Sequence, residues 1–258
     1  MKRPKIHDVE KLFKSLGLES GDTALIHSDI MSLGLVEKGP DGIIEAFFNV
    51  TGPEGNLVVP EFSFSFCKGE VFNPKNAPPI TGAFSKHFLK RSDSIRSINP
   101  NHSFSAIGAK ASELMDAKGK SSFGEETVFT NLLNQDAKVL LLGTFKNSFL
   151  HYSEKRFGVE YRYDKVFKGL IQIENQDGSF NEYEDEFSFY VRNLDAKGTE
   201  EEDRLEAREK FFNSSVCKEE KFSYGVHRSF KASEGVDYFI DQLTKDPLYF
   251  VDKNKYQA

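Results

Sequence analysis

The stretch that most constrains this chain is Val139-Leu140-Leu141-Leu142, an unbroken apolar run closed by Gly143. Apolar residues without polar alternation predict a strand buried on both faces, as in a sheet that carries helices on each side. A polar loop follows, and His151 and Glu154 then stand three residues apart on what reads as the next helix. That spacing sets both side chains on one helical face, beside the end of the buried strand. An imidazole serves as general base near neutral pH, and a nearby carboxylate orients it and stabilises its protonated form. A His and a Glu so spaced are often an ordinary surface pair; the strand end raises this one above that background.

The rest of the first half alternates strand and helix. Helical spacing of Val9, Leu12, Phe13 and Leu16 predicts a helix over 6–16, and Gly17 ends it. Residues 22–27 read as a strand, 41–50 as a helix, and 56–60 as a second buried strand after the turn Gly52-Pro53-Glu54-Gly55. Residues 62–83 are irregular, with Pro74, Pro78 and Pro79, and a loop that long is usually functional or mobile. Helices are expected over 82–90, 109–117 and 128–133, loop over 91–102, and a strand over 104–107. After His151, strands are expected over 165–173, 180–183, 187–191 and 222–230, with a hairpin turn at Asn175-Gln176-Asp177-Gly178. The charge-rich segment 199–210 reads as a solvated helix face, and 236–243 as a closing helix. The expectation is an α/β fold, a layered α/β/α arrangement with a mixed central sheet and a β-rich C-terminal elaboration over about residues 160–225. All 258 residues are expected to form a single domain.

Composition narrows the function classes. A net charge of −6 with no dominant Lys/Arg cluster argues against a nucleic-acid or anionic-membrane surface. No window reaches transmembrane length, and the polar, basic first eight residues lack the apolar core of a signal peptide. Cys67 and Cys217 are isolated, so a reduced, cytoplasmic setting is expected, and the six His form no metal-type spacing. Ser28 at a strand end invites comparison with a nucleophile, but the Gly-x-Ser-x-Gly elbow is missing.

Four segments together resemble the antibiotic N-acetyltransferase family, whose members are aminoglycoside 3-N-acetyltransferase-like. They are Gly21-Asp22-Thr23-Ala24-Leu25-Ile26-His27-Ser28 with Ser32-Leu33-Gly34; Gly52 through Pro60; Arg96-Ser97-Ile98-Asn99-Pro100-Asn101-His102-Ser103-Phe104 running on to Gly108; and Leu140 through Glu154. The resemblance implies acyl transfer from acetyl-CoA, or another acyl-CoA, to the amine of a sugar-like acceptor, with His151 deprotonating the attacking amine. It implies coenzyme binding through His27, Ser28, Ser32, Leu33 and Gly34, and through Arg96, Ser97, Ser103 and Phe104. By their own chemistry, hydroxyls and backbone N–H groups of a Gly-containing turn suit phosphates, and an Arg can pair with one. His27 also reads as a hydrogen-bonded, partly buried imidazole that shapes the turn. The imidazole's orienting carboxylate is Glu154, Asp185, Glu186 or Asp195.

For the acceptor side, Phe64 of the Phe62-Phe64-Phe66 series, Asp185, Tyr190 and Arg192 are the candidates. Ser28-Asp29 and Asn99-Pro100 stand where the drug-modifying members of the family carry Ser-Ser and His-Pro. Arg192, and a likeness of Phe187-Ser188-Phe189-Tyr190-Val191-Arg192 to relatives in surface-polysaccharide synthesis, favour a nucleotide-linked amino sugar as acceptor. An aminoglycoside, hence antibiotic resistance, is the alternative, and the acidic run Glu182-Tyr183-Glu184-Asp185-Glu186 would suit it. Rival classes are a CoA-dependent hydrolase, a transferase to a hydroxyl, and a non-catalytic ligand-binding relative. The expected partners are a small-molecule amine, with no nucleic acid, no membrane and no metal; a homodimer is compatible with this reading.

Overall fold

The computed structural model describes residues 2–175, 177–200 and 204–256. The apolar run lies in strand β5 (Lys138–Leu142), which pairs in parallel with β1 (Thr23–Ser28), Ser28 opposite Leu142. On its other side β1 is parallel to β2 (Asn56–Pro60). The sheet then grows by antiparallel pairing: β4 (Phe104–Gly108) on β2 and β3 (Ile95–Arg96) on β4 at one flank. At the other flank β9 (Gly225–Lys231) lies on β5 and β8 (Lys218–Phe222) on β9, giving the order β3-β4-β2-β1-β5-β9-β8.

Side chains alternate across a strand, so the central strands feed two cores. Leu25, Val58, Val139 and Leu141 join the apolar faces of α4 (Ala111–Met115), α5 (Val128–Asn134), α6 (Ser148–Phe157), α7 (Leu205–Phe212) and α8 (Ala232–Lys245). Ala24, Ile26, Leu57, Val59, Leu140 and Leu142 join α1 (Ile6–Ser15), α2 (Pro40–Thr51) and α3 (Ala83–Phe88). The architecture is the layered α/β/α arrangement with a mixed sheet that the alternating pattern predicts. Among the described residues no helix is long and apolar enough to cross a membrane.

This topology creates a crevice. The chain leaves β1 toward α2 on one face and leaves neighbouring β5 toward α6 on the other. Where parallel neighbours send their connections to opposite faces, their carboxyl ends open a cleft, the usual ligand site of open α/β sheets.

The largest departures from expectation lie in the later half. β6 (Arg162–Glu174) and β7 (Phe180–Arg192) form one long antiparallel hairpin, where two short strands were expected on the second arm. The acidic run does not interrupt β7, because most of its side chains face solvent on a two-stranded ribbon. Of the expected turn, Gln176 lies outside the described residues, and Gly178 adopts φ +81°. Residues 222–230 are not one strand but parts of β8 and β9, joined through Ser223 and Tyr224, so β8 belongs to the central sheet. The loop expected over 91–102 contains the short strand β3. Within 199–210, residues 201–203 lie outside the described set, and the helix in the remainder has a solvated face of Leu205, Glu206, Glu209 and Lys210 and also a buried one. Ala207, Arg208 and Phe211 of α7 are buried, as is Arg204. A third apolar cluster of Phe66, Phe72, Ala77, Ile171 and Phe187 seats the hairpin on the 62–83 loop.

Candidate active site

Helix α6 begins where the crevice opens. Asn147 caps it, its side-chain oxygen accepting from the Phe149 N–H at 3.0 Å. Gly158 ends it in the left-handed region at φ +83°, its N–H donating to the Glu154 carbonyl at 2.9 Å. The reversal brings the following residues back along the helix. Between these caps the i, i+3 pair closes, with His151 Nδ1 2.7 Å from Glu154 Oε2.

Glu154 has no exposed surface, and a buried carboxylate must be paired and hydrogen-bonded to persist as an anion. Both its oxygens are doubly engaged. Oε2 also lies 2.9 Å from Arg162 Nε; Oε1 accepts from the Tyr161 hydroxyl at 2.9 Å and lies 3.1 Å from Arg204 Nη1. Burial works to raise this carboxyl's pKa, but Arg204 and Arg162, helped by His151, outweigh it and hold it far below the usual carboxylate range. An ionised carboxylate only accepts hydrogen bonds, so the proton between the pair sits on Nδ1 and Nε2 carries the lone pair. Among the described residues Nε2 has no hydrogen-bond partner, and the His151 side chain keeps 29% of its surface open. Burial, then the charge on Arg162, lowers the imidazole to about 4 against the pull of Glu154, so it is a neutral base at pH 7.

An aromatic wall adjoins it. The Phe123 ring lies 5.9 Å from His151 and 4.6 Å from His102, which also packs against Phe62, Phe64 and Phe189. Phe64 stacks on Phe189 at 5.1 Å. His102 Nδ1 lies 2.8 Å from Ser122 Oγ, and burial lowers this imidazole to about 3.

At the crevice, His27 is buried on β1 with Nε2 2.9 Å from Ser148 Oγ, which ties the strand end to the start of α6. Ser28 is half-buried at the end of β1. The turn after it is a 3-10 helix, Ile30–Leu33, capped by Asp29, whose N–H donates to the Leu142 carbonyl at 2.8 Å. Ser32 Oγ donates to the Asp29 carbonyl at 2.6 Å and stands 1.9 Å from where a Cβ on Gly143 would lie. Only glycine therefore fits after β5. Leu33 is buried in the core, and Gly34 adopts φ +83°.

The third segment lies inside the fold. Arg96 Nε is 3.0 Å from Glu61 Oε2 and donates to Ser103 Oγ at 3.1 Å. Its Nη1 donates to the Ala77 carbonyl at 2.6 Å, and its Nη2 to the Glu61 carbonyl at 2.7 Å. Ser97 Oγ accepts from the Phe104 N–H at 3.0 Å, and Ser97, Ser103 and Phe104 are all buried. Arg96 thereby ties β3 to the 62–83 loop, and Phe104 packs its ring on Phe62.

Among the acceptor-side candidates, Tyr190 is buried under the pair, its hydroxyl 3.3 Å from the Val159 carbonyl. Asp185 is ion-paired to Lys120, and Arg192 Nη1 lies 2.5 Å from Glu200 Oε1. The carboxylate that reaches His151 is Glu154, not Asp185, Glu186 or Asp195. Tyr161, Arg162 and Arg204 around Glu154, and Phe123 in the aromatic wall, were not anticipated from sequence. Gly158 gave a usable sign that Tyr161 and Arg162 return to the helix; Arg204 sits in an acidic run whose pattern reads as solvent-facing.

The comparisons with known proteins bear on this geometry. The profile of the family described as aminoglycoside 3-N-acetyltransferase matches residues 25–244. The chain belongs to that family. It is, by class, an acyl-CoA-dependent N-acetyltransferase. Aminoglycoside N(3)-acetyltransferase VII of Streptomyces paromomycinus is 27% identical over 65% of this chain and 70% of its own length. Aminoglycoside N(3)-acetyltransferase IV of a Salmonella species is 33% identical over 57% of each chain. A histidine-to-alanine mutant of aminoglycoside acetyltransferase AAC(3)-IVa, in complex with a gentamicin, matches over 97% of this chain and 92% of that one. Its TM-score is 0.73 and its identity 26%.

Proposed function

We propose that this chain of the aminoglycoside 3-N-acetyltransferase family transfers the acetyl group of acetyl-CoA to an amine of an aminoglycoside, with His151 as general base and Glu154 as its orienting carboxylate. The observation that carries this reading is the open Nε2 lone pair of an imidazole whose other nitrogen is locked to a buried anion, one helix start away from the crevice at β1 and β5.

The acceptor amine attacks the thioester carbonyl carbon in its neutral form. As the C–N bond forms, that nitrogen becomes strongly acidic, so an imidazole held at low pKa suffices to take its proton at Nε2. The tetrahedral adduct collapses with cleavage of the C–S bond, and the proton passes to the departing sulfur. The products are one amide and one thiol. Acetyl-CoA supplies the activated acyl group, and the family resemblance assigns it to the turn after β1, where Ser28 is half-buried at the strand end while the Ser32 hydroxyl and the N–H groups of Asp29, Met31, Ser32 and Gly34 are engaged within the chain. His27, Leu33 and Gly34 shape that turn. Arg96, Ser97, Ser103 and Phe104 support the wall beside it, their polar groups being engaged within the chain.

For the acceptor, Phe64, Phe123 and Phe189 offer a wall for the sugar ring faces. β7 carries exposed Glu182, Glu184 and Glu186, which attract a polycation. Arg192, the residue that pointed to a nucleotide-linked sugar, is ion-paired to Glu200. The names of the curated relatives and the gentamicin complex support an aminoglycoside. The test is thiol release from acetyl-CoA with gentamicin and, separately, with nucleotide-linked amino sugars. Turnover on gentamicin is expected; turnover on the nucleotide sugars alone would overturn the acceptor, and release without any amine would overturn the reaction.

A further inference from the structure

We propose that Arg162 is a positioning residue for the transfer reaction: together with Tyr161 and Arg204 it clamps Glu154 as a fixed anion and so determines the pH range over which His151 works. This rests on the reading of His151 as the base.

The geometry is specific. Arg162 Nε and His151 Nδ1 converge on one oxygen, Glu154 Oε2, at 2.9 and 2.7 Å. The guanidinium therefore shares that oxygen with the imidazole as an ion pair, which sets its charge close to the ring. Its own orientation is fixed, because Nη1 donates to the Tyr190 carbonyl of β7 at 3.1 Å and the side chain is 11% exposed. It is thus held inside the chain and not extended toward a ligand.

The charge balance gives the direction. Among the described residues, Glu154 is the carboxylate in contact with the imidazole. Facing the pair are Arg162 from β6, Arg204 from the segment before α7, Tyr161 from the turn after α6, Tyr190 from β7 and His102 from the loop after β3. Lys155, on the next turn of α6, is occupied by Asp164. Arg162 and Arg204 both stand on Glu154, so a protonated His151 would be a third cation against that carboxylate. A lone His-Glu pair would behave in the opposite way, since the carboxylate would raise the imidazole above its ordinary value. Burial disfavours the imidazolium first, and the arginines add to it, so that together they keep the base free against the pull of Glu154. Both arginines come from the chain beyond α6, so the later half completes the site electrostatically.

The experiment follows the His151 imidazole by NMR titration of the full-length protein without substrate, alongside the pH dependence of kcat/KM, in wild type, Arg162→Met and Arg162→Lys. The wild-type ring is expected to titrate near 4. Arg162→Met should raise the midpoint by about one to two pH units, and the lower acid limb of kcat/KM, the one beneath the limb set by the acceptor amine, should move with it. Arg162→Lys, which keeps the charge, should return both toward wild type. A folded Arg162→Met protein whose His151 titrates as in wild type overturns the proposal. So does a wild-type midpoint near the ordinary 6.5, a result that depends on no variant's folding. If the NMR midpoint shifts while the kcat/KM limb stays fixed, the clamp on Glu154 is upheld and the assignment of His151 as base falls.

Discussion

Glu154 shows how a single buried residue can be both structural and functional. Its four partners hold it ionised, and that fixes the His151 tautomer with the lone pair on Nε2. Replacing it by Gln keeps the shape but removes the buried negative charge on which Arg162 and Arg204 both stand. Glu154→Gln should therefore destabilise the fold by about 3–5 kcal/mol, measured by urea unfolding, and lower the rate as well. The i, i+3 spacing made this pair legible from the outset. The arginine partners were not, because an ion pair between segments distant in sequence leaves no periodic trace. Arg204 illustrates the difficulty: flanked by Glu201, Glu202, Asp203 and Glu206, it has the local pattern of a solvated surface yet is buried at 1% exposure.

At the scale of elements, α6 is positioned by its ends. Gly158 holds φ +83° with nothing within 4 Å of an added Cβ, so substitution there tests backbone conformation alone. Gly158→Ala should cost about 1–2 kcal/mol, and Gly158→Asn less, in urea titrations read by circular dichroism. Gly143→Ala should be far more damaging, since its Cβ would fall on Ser32 Oγ. The central strands were legible because burial on both faces demands apolar runs, as in Leu140-Leu141-Leu142. The hairpin was legible only in part. On a two-stranded ribbon neither face is fully buried, and the acidic residues of β7 conceal a continuous strand. β3 escaped notice because two residues are too short to show a period.

For the whole molecule, the buried histidines set the response to acid. Burial lowers His27 and His151 to about 4 and His102 to about 3, against 6.5 in an unfolded chain. Between those values the unfolded chain binds more protons than the folded one, so stability falls as pH drops below 6.5. The slope approaches about 1.4 kcal/mol per pH unit for each histidine. Glu154 adds stability that is present above its ordinary 4.5 and is lost as pH falls below it. Urea midpoints should therefore be flat above pH 7 and decline steeply by pH 5 with an unchanged m-value; an unchanged midpoint at pH 5 would contradict the neutral burial of these rings. The arginine clamp joins the later half to α6, and we expect one cooperative unfolding transition across the chain.

The central claim is that Nε2 of His151 removes the proton from the attacking amine. The most direct measurement is the rate of acetyl transfer from acetyl-CoA to gentamicin by His151→Ala beside wild type, with the affinity for both substrates determined for each protein. The account predicts a loss of about two to four orders of magnitude in kcat with little change in binding. A loss below tenfold, with binding intact, would contradict it.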